Sequence, residues 1–329
     1  MSAATRLYAL LLGLLIALAM LSLFFGPAAL SPSTVLRALF LGGDAVEHSI
    51  IWEVRLPRVL LAILIGGSLG LSGAALQGLL RNPLAEPGVI GVSASAGLGA
   101  VTVLYWNSSG MTFPVSAAAI GAAGVATLLL VILARKDASV LTLILAGVGI
   151  NSLAGALTAL LLNLSPNPFA LADMVYWLMG SLADRSFDDV ALAAPFILAG
   201  GALLLASARG LGALTLGEDS AASLGIALSR LSLLVIIGTA ASVGAGVAVA
   251  GTIGFVGLVV PHLLRPFLDY DPARLLVPSA LGGAVLLLAA DLLVRLLPGG
   301  QELKLGVVTA LVGAPVFLHL VWRTRRRMR

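Results

Sequence analysis

Long apolar segments separated by short polar ones run through the whole chain. Runs of about 20 apolar residues can cross a bilayer. Ten segments fit this description: 7–27, 56–80, 88–106, 113–134, 139–163, 190–208, 229–249, 253–264, 275–297 and 305–322. Because backbone inside lipid must satisfy its own hydrogen bonds, each is predicted to be a helix. The pattern predicts one all-α, polytopic membrane domain over residues 1–329, with about ten spans.

The first and the eighth of these segments differ from the others. A secretory signal peptide is the alternative for the first, but the apolar pattern that follows favours a membrane helix. The eighth carries glycine at every third position from Gly251 and then Pro261, which predicts a broken helix. Elsewhere glycines recur inside spans, as at Gly66 and Gly70 or at Gly121 and Gly124. Small residues at this spacing are typical of close helix packing in lipid.

Charge placement predicts the orientation. Only 10% of residues are charged and 60% are apolar. With ten spans, 13 of the 19 Lys and Arg residues fall on the side that carries both termini. The excess of positive charge on that side predicts that both termini are cytoplasmic. The basic tail at 323–329 is interpreted as a contact with anionic lipid, and no nucleic-acid partner is expected.

Few residues are candidates for chemistry inside the membrane. Cysteine is absent and the three histidines have no metal-ligand spacing. Asp291 and Arg295 lie four residues apart, so they can pair on one helix face. No chain of intramembrane carboxylates or histidines is present that could relay protons. The energy source is therefore expected to lie outside this chain.

Two polar segments on the cytoplasmic side are more patterned than simple connectors. Gly217 precedes acidic residues suited to the first turn of a short helix, and Gly225 is placed to end it. Such a helix, within a segment at about 209–230, could dock into a soluble partner; an interfacial linker is the alternative. The second segment, 81–88, is a turn stiffened by two prolines.

Together these segments resemble the permease subunits of type II ABC importers, the FecCD or BtuC-like family, which takes up iron–siderophore complexes, haem or vitamin B12. The resemblance covers nearly the whole chain. It rests on RLPRVLLAILIGGSLGLSGAALQGLLRNPLAEPGVIGVS at 55–93, LILAGVGINSLAGALTALLL at 143–162, LTLGEDSAASLGI at 214–226, GTIGFVGLVVPHLLR at 251–265 and LKLGVVTALVGAPVFL at 303–318.

The resemblance implies roles for particular residues. Three outward-facing arginines would dock a periplasmic binding protein: Arg55, Arg58 and Arg295. The short cytoplasmic helix would couple to the ATPase through Gly217, Glu218, Asp219, Ser220, Leu224 and Gly225. The cytoplasmic gate and pathway would include Asn82, Leu84, Ser139, Val140, Leu141, Asn151 and Ser152.

The resemblance also implies the partners and the reaction. A second permease copy, two ABC ATPases and a binding protein would assemble in the bacterial inner membrane. ATP and magnesium would be bound by the ATPase, because this chain has no GxxxxGK[ST] motif and no cofactor is expected in it. The expected substrate is a metal chelate, with an iron–siderophore complex or haem favoured over cobalamin. The alternatives are an ion-coupled secondary transporter and an intramembrane enzyme, but the residues that either needs are not evident.

Overall fold

The structure is a computed structural model that describes residues 3–26, 28–42, 44–107, 114–136, 140–297 and 302–327. Within these ranges the chain is entirely helical apart from its connections. The α-helices are α1 (Ala3–Phe24), α2 (Pro32–Phe40), α3 (Ala45–Ser49), α4 (Leu56–Leu79), α5 (Val92–Asn107), α6 (Val115–Lys136), α7 (Val140–Asn163), α8 (Pro168–Leu178), α9 (Phe187–Ala206), α10 (Ala208–Leu214), α11 (Glu218–Ser223), α12 (Leu228–Ala250), α13 (Val256–Leu264), α14 (Pro272–Leu296) and α15 (Leu305–Arg327).

Each of the ten predicted spans coincides with a helix. Among the described residues, seven helical segments are long and apolar enough to cross a membrane, and α4 and α12 are the most buried of them. The remaining three predicted spans correspond to α5, α13 and α15, which are shorter or less apolar. The prediction of an all-α membrane protein is therefore confirmed.

The sequence pattern did not predict four short elements. Helices α2 and α3 and a π-helical turn at Ile50–Arg55 connect α1 to α4, and α8 lies between α7 and α9. Helix α2 is amphipathic and buries Val35 and Ala38 against Ile51. Asn167 caps α8 by accepting a hydrogen bond from the backbone N–H of Ala170. These elements are too short to be recognised by their hydrophobic period.

Helix α4 is the centre of the bundle, and its glycines make that position possible. A Cβ added at Gly66 would lie 2.4 Å from the carbonyl oxygen of Gly283 in α14. At Gly70 it would lie 2.0 Å from the carbonyl oxygen of Ser279. At Gly73 it would lie 1.9 Å from that of Gly257 in α13. Only glycine permits these backbones to touch, so the packing interpretation is confirmed for α4.

The glycines of α6 behave differently. No heavy atom lies within 4 Å of a Cβ added at Gly121 or Gly124. The expectation that they pack as the α4 glycines do is wrong within this chain. They lie on a helix face that other described elements leave open.

The break predicted in the run from Gly251 to Pro261 is present, at the beginning of that run. Helix α12 ends at Ala250 and residues 251–255 are not helical. Gly251 has φ +73° and Phe255 has φ +67°, so a residue with positive φ stands at each end of the break. Pro261 lies inside α13, six residues into a nine-residue helix. The glycines, rather than the proline, interrupt the helix.

The packing of α4 predicts opposite effects at two glycines. Gly70→Ala should lower the free energy of unfolding by about 3 kcal/mol or more, because its methyl group would overlap the backbone of α14. Gly121→Ala should be neutral or stabilising by up to about 1 kcal/mol, since alanine favours helix and nothing obstructs the methyl group. Thermal unfolding of both variants in detergent measures the difference, and equal effects would contradict the packing account.

Candidate functional site

A cluster of buried charges lies at the start of α4. The Nε of Arg58 donates to Oδ1 of Asp291 at 2.9 Å. Its Nη1 and Nη2 donate to the two carboxylate oxygens of Glu302 at 3.2 and 2.9 Å. Arg295 forms an ion pair with Oδ2 of Asp291 at 3.1 Å. The predicted Asp291–Arg295 pair is therefore present, and it belongs to a larger network that joins α4, α14 and the segment before α15.

Arg55 and Arg295 bind the end of α1. The last carbonyl groups of a helix have no partner within it and carry partial negative charge. Arg55 donates to the carbonyl oxygens of Leu23 at 2.6 Å, Phe24 at 3.0 Å and Ala28 at 2.5 Å. Arg295 donates to the carbonyl oxygens of Ser22 and Phe25, both at 3.1 Å, and to the hydroxyl of Ser22. Two of the three arginines therefore cap α1.

The three arginines are close together, but they are not exposed as expected. Arg55 and Arg58 are 3% and 7% exposed, and the side chain of Arg295 is 2% exposed. Their partners on α1 and α14 are distant in sequence, so no local pattern predicted this burial. Removing any of them would leave buried polar groups unpaired. They hold together the end of the bundle at which α4 begins.

The predicted short helix after Gly217 is present, in a segment that packs near the other end of α4. Gly217, with φ +99°, precedes α11, and Leu224 and the left-handed Gly225 end it. Glu218, Asp219 and Ser220 form its exposed first turn. The segment is tied to the bundle through α10, whose Leu211 and Leu214 are buried. Helix α4 has 24 residues and is therefore about 36 Å long, with the arginine cluster at its start and Leu211 of α10 packed beside Gly78 near its end.

The polar turn after α4 has a defined structure. The backbone N–H of Leu84 donates to Oδ1 of Asn82 at 2.9 Å, which closes an Asx turn. Arg81 is left-handed, with φ +48°. Leu84 is 45% exposed and makes the tip of the turn apolar. The loop then continues through a short 3₁₀ helix at Pro87–Ile90.

The structure brings this loop against α7, which carries the other predicted pathway residues. A Cβ at Gly147 would lie 2.6 Å from the carbonyl oxygen of Val89, and one at Gly91 would lie 2.9 Å from the backbone nitrogen of Asn151. Ser152 is exposed on α7. Val140 and Leu141 begin α7, whereas Ser139 lies outside the described residues.

Two cavities meet at the break between α12 and α13. One has a volume of about 700 Å³ and is lined mainly by apolar residues of α15 and the end of α8. The other, of about 250 Å³, is lined by polar groups of Glu86, Ser93 and Asn151. Thr252 and Phe255 line both. The break is thus flanked by space on two sides, as expected where irregular backbone occurs at membrane depth.

Glu86 is the candidate residue that sequence reasoning missed. Burial raises the pKa of its carboxyl group, and the nearby backbone N–H of Phe255 opposes the rise. Gly257 packs beside it against Pro87, with a Cβ there only 2.8 Å from the proline ring. The turn therefore folds back toward the α12–α13 break, which the sequence pattern of the loop alone does not reveal.

These features define a class of protein: a multi-pass helical permease with polar groups at both ends of its central helix and beside a broken one. The chain belongs to the FecCD transport family, whose family model matches residues 14–323. The predicted family and fold are confirmed.

The chain is similar to permeases over most of its length. It is 43% identical to the vitamin B12 import system permease BtuC of Vibrio cholerae, over 95% of this chain and 93% of that protein. It is 39% identical to the hemin transport permease HmuU of Yersinia pestis, over 96% and 95%. A solved metal-chelate type ABC transporter in an inward-facing conformation is 33% identical, with TM-score 0.86 over 97% of this chain and 99% of that one.

The chain is accordingly the permease subunit of an ABC importer. A permease of this kind carries no cofactor of its own, and ATP is bound by a partner ATPase. Membership of this importer family also implies that a substrate-binding protein is a partner of the chain.

The capping of α1 predicts a large cost for losing Arg55. Arg55→Met should destabilise the protein by about 3 kcal/mol, because three carbonyl groups lose their donor near a helix end. Arg37→Met, which removes an exposed arginine from α2, is the matched control. Thermal unfolding in detergent tests this, and a comparable loss in both variants would contradict a specific capping role.

The environment of Glu86 predicts a pH-dependent effect. Because its folded pKa is raised, the native carboxylate costs stability at neutral pH, and this cost vanishes once both states are protonated. Glu86→Gln should therefore unfold at a higher temperature than the wild type at pH 7 to 8, and the gap should close toward about pH 4. Glu218→Gln, at an exposed site, is the control. A gap that does not change with pH would contradict this account.

Proposed function

We propose that this chain imports a large metal chelate across the bacterial inner membrane by alternating access driven by a separate ATPase. The support is the likeness, over more than nine-tenths of the chain, to permeases named for vitamin B12 and for hemin. Haem, an iron–siderophore complex and cobalamin are all bulky chelates that suit an apolar cavity of about 700 Å³. No bond in the substrate is broken, and ATP binding and hydrolysis bias two states of similar energy.

A homodimer is proposed, with α7 at its centre. This helix buries little of its surface within the chain. Leu145, Leu153 and Leu160 are exposed along it, and polar Asn151 and Ser152 are exposed beside them. Polar groups at membrane depth face protein or water rather than lipid. A second copy facing α7 would cover the leucines and leave Asn151 and Ser152 beside the pathway.

The cytoplasmic gate is proposed to consist of the Asn82 turn and the start of α7. Support comes from the contact of Val89 with Gly147, which ties the turn to α7. Leu84, at the exposed tip of the turn, and Val140 and Leu141, at the beginning of α7, would meet their copies across the dimer axis; Ser139 remains in this proposal on resemblance alone. Movement of one element would then move the other.

Coupling to two ATPases is assigned to α11 and its flanking glycines. Residues 216–225 expose leucines on both sides of the acidic helix turn, with Leu216 66% and Leu224 64% exposed. Apolar side chains flanked by polar residues at an exposed helix suit a groove on a soluble partner. The excess of arginine and lysine on this side supports a cytoplasmic location, together with both termini.

Docking of the periplasmic binding protein is assigned to the arginine cluster at the opposite end. Its three arginines outnumber its two carboxylates, so the cluster keeps one excess positive charge. An acidic surface on the partner would complement it and steer the encounter. Arg58 is the arginine whose partner, Glu302, is partly exposed. Arg55 and Arg295 position the cluster by binding the end of α1.

The decisive experiment is purification of the tagged chain from its native membranes with mass spectrometry of its partners. An ABC ATPase and a binding protein are expected, and the latter should carry iron, cobalt or a haem Soret band. A chain that purifies alone and moves solute under an ion gradient would instead establish a secondary transporter.

A single substitution tests the coupling segment. Leu224→Asp should abolish co-purification of the ATPase, because a charge would replace the apolar contact. The fold should be unaffected, since Leu224 is exposed. Leu164→Asp is a matched control in the opposite connection, where Leu164 is 56% exposed. Loss of the ATPase in both variants, or in neither, would contradict the assignment.

A further inference from the structure

The two carboxylates that bind Arg58 differ in exposure. The side chain of Asp291 is 1% exposed and is held by Arg295 as well. The side chain of Glu302 is 30% exposed and binds the outer edge of the same guanidinium group. Arg58 itself is 9% exposed in its side chain. Asp291 therefore fixes the orientation of Arg58 through Nε, while Glu302 covers the two terminal nitrogens from the solvent side.

We propose that Glu302 is an internal stand-in for a carboxylate of the docking partner, and that docking displaces it from Arg58. This inference rests on the proposed function, in which an acidic binding protein docks at the arginine cluster. A guanidinium fork takes a carboxylate through two parallel hydrogen bonds, which is the contact that Glu302 makes. A carboxylate of the partner can reach the same two nitrogens only if Glu302 moves aside.

The charges in the cluster make this exchange selective. Arg55 and Arg295 are bound by carbonyl groups of the α1 end, which cannot leave without unfolding that end. Asp291 bridges two arginines and is fully buried. Glu302 lies in a non-helical segment and has one ion-pair partner among the described residues. Its release would therefore break fewer contacts than the release of any other member of the network.

Release of Glu302 would act on the pathway through the residues that follow it. Three residues later the backbone N–H of Leu305 donates to the carbonyl oxygen of Gly180 at 2.9 Å, and that of Gly306 donates to Met179 at 3.1 Å. Met179 and Gly306 line the cavity of about 700 Å³. Docking at Arg58 is thereby linked to the wall of the cavity by a short, tightly packed segment.

The test compares Glu302→Gln with Glu53→Gln. Both remove one negative charge near the same end of α4, but Glu53 is exposed on the π-helical turn and has no ion pair among the described residues. The intact transporter in nanodiscs is titrated with the binding protein recovered by co-purification. Glu302→Gln should tighten docking by about tenfold, since a neutral amide competes weakly for Arg58. Glu53→Gln should change it less than about twofold.

A chemical probe tests the same point without the partner. Phenylglyoxal, which modifies arginine, should react faster at Arg58 in Glu302→Gln than in the wild type, as read by peptide mass spectrometry. Arg55 and Arg295 should be unchanged in both, because their covering groups remain. If the glutamine variant does not fold, Glu302→Asp serves instead, since shortening the side chain by one methylene should weaken the same contact.

The docking and modification experiments can distinguish failure of the stand-in role of Glu302 from failure of the arginine cluster as the docking site. Normal docking by the wild type, with no tightening and no faster modification in Glu302→Gln, would overturn the stand-in role alone. Docking that survives Arg58→Gln would overturn the arginine cluster as the docking site. Tighter docking together with faster modification of Arg58 would establish the exchange.

Discussion

The rest of the bundle depends on the direct backbone contact of α4 with its neighbours. In lipid, association of helices gains nothing from burial of apolar surface, so it must come from close packing and polar contacts. Gly66 and Gly70 bring α4 onto α14, and Gly73 brings it onto α13. Gln77 strengthens the second contact by donating to the carbonyl oxygens of Gly257 and Leu258. The broken segment before α13 is thus fixed against α4, one of the two most buried spans among the described residues.

The arginine cluster stabilises the other end of α4 by a different means. Burying the charged side chains of Arg55, Arg58, Arg295 and Asp291 is costly unless each has partners of opposite charge or oriented dipoles. Here the end of α1 supplies the dipoles, and Asp291 and Glu302 supply the charges. The same groups that hold three helices together also present the excess positive charge on which docking is proposed to depend. Stability and recognition are therefore properties of one network.

The sequence was sufficient to predict what depends on local pattern. Hydrophobic runs predicted the spans, and the glycines at 217 and 225 predicted the two ends of α11. The four-residue separation of Asp291 and Arg295 predicted that they form a pair. It was not sufficient for contacts between distant segments. Arg58 meets partners more than 200 residues away, and Glu86 is half-buried because its loop folds back toward Phe255. A charged residue in a polar loop looks exposed until the fold is known, and the burial of all three arginines was missed for that reason.

The uncovered face of α7 has a consequence for the life of the protein before assembly. A newly inserted copy holds Asn151 and Ser152 on a surface that lipid would otherwise touch. Hydrocarbon offers no hydrogen bonds to an amide or a hydroxyl, so under the proposed dimer the single chain would be the less stable species. Its abundance would then depend on how quickly it assembles with a second copy as well as on synthesis. Surplus copies would be the first substrates for membrane proteases that recognise polar groups in the bilayer.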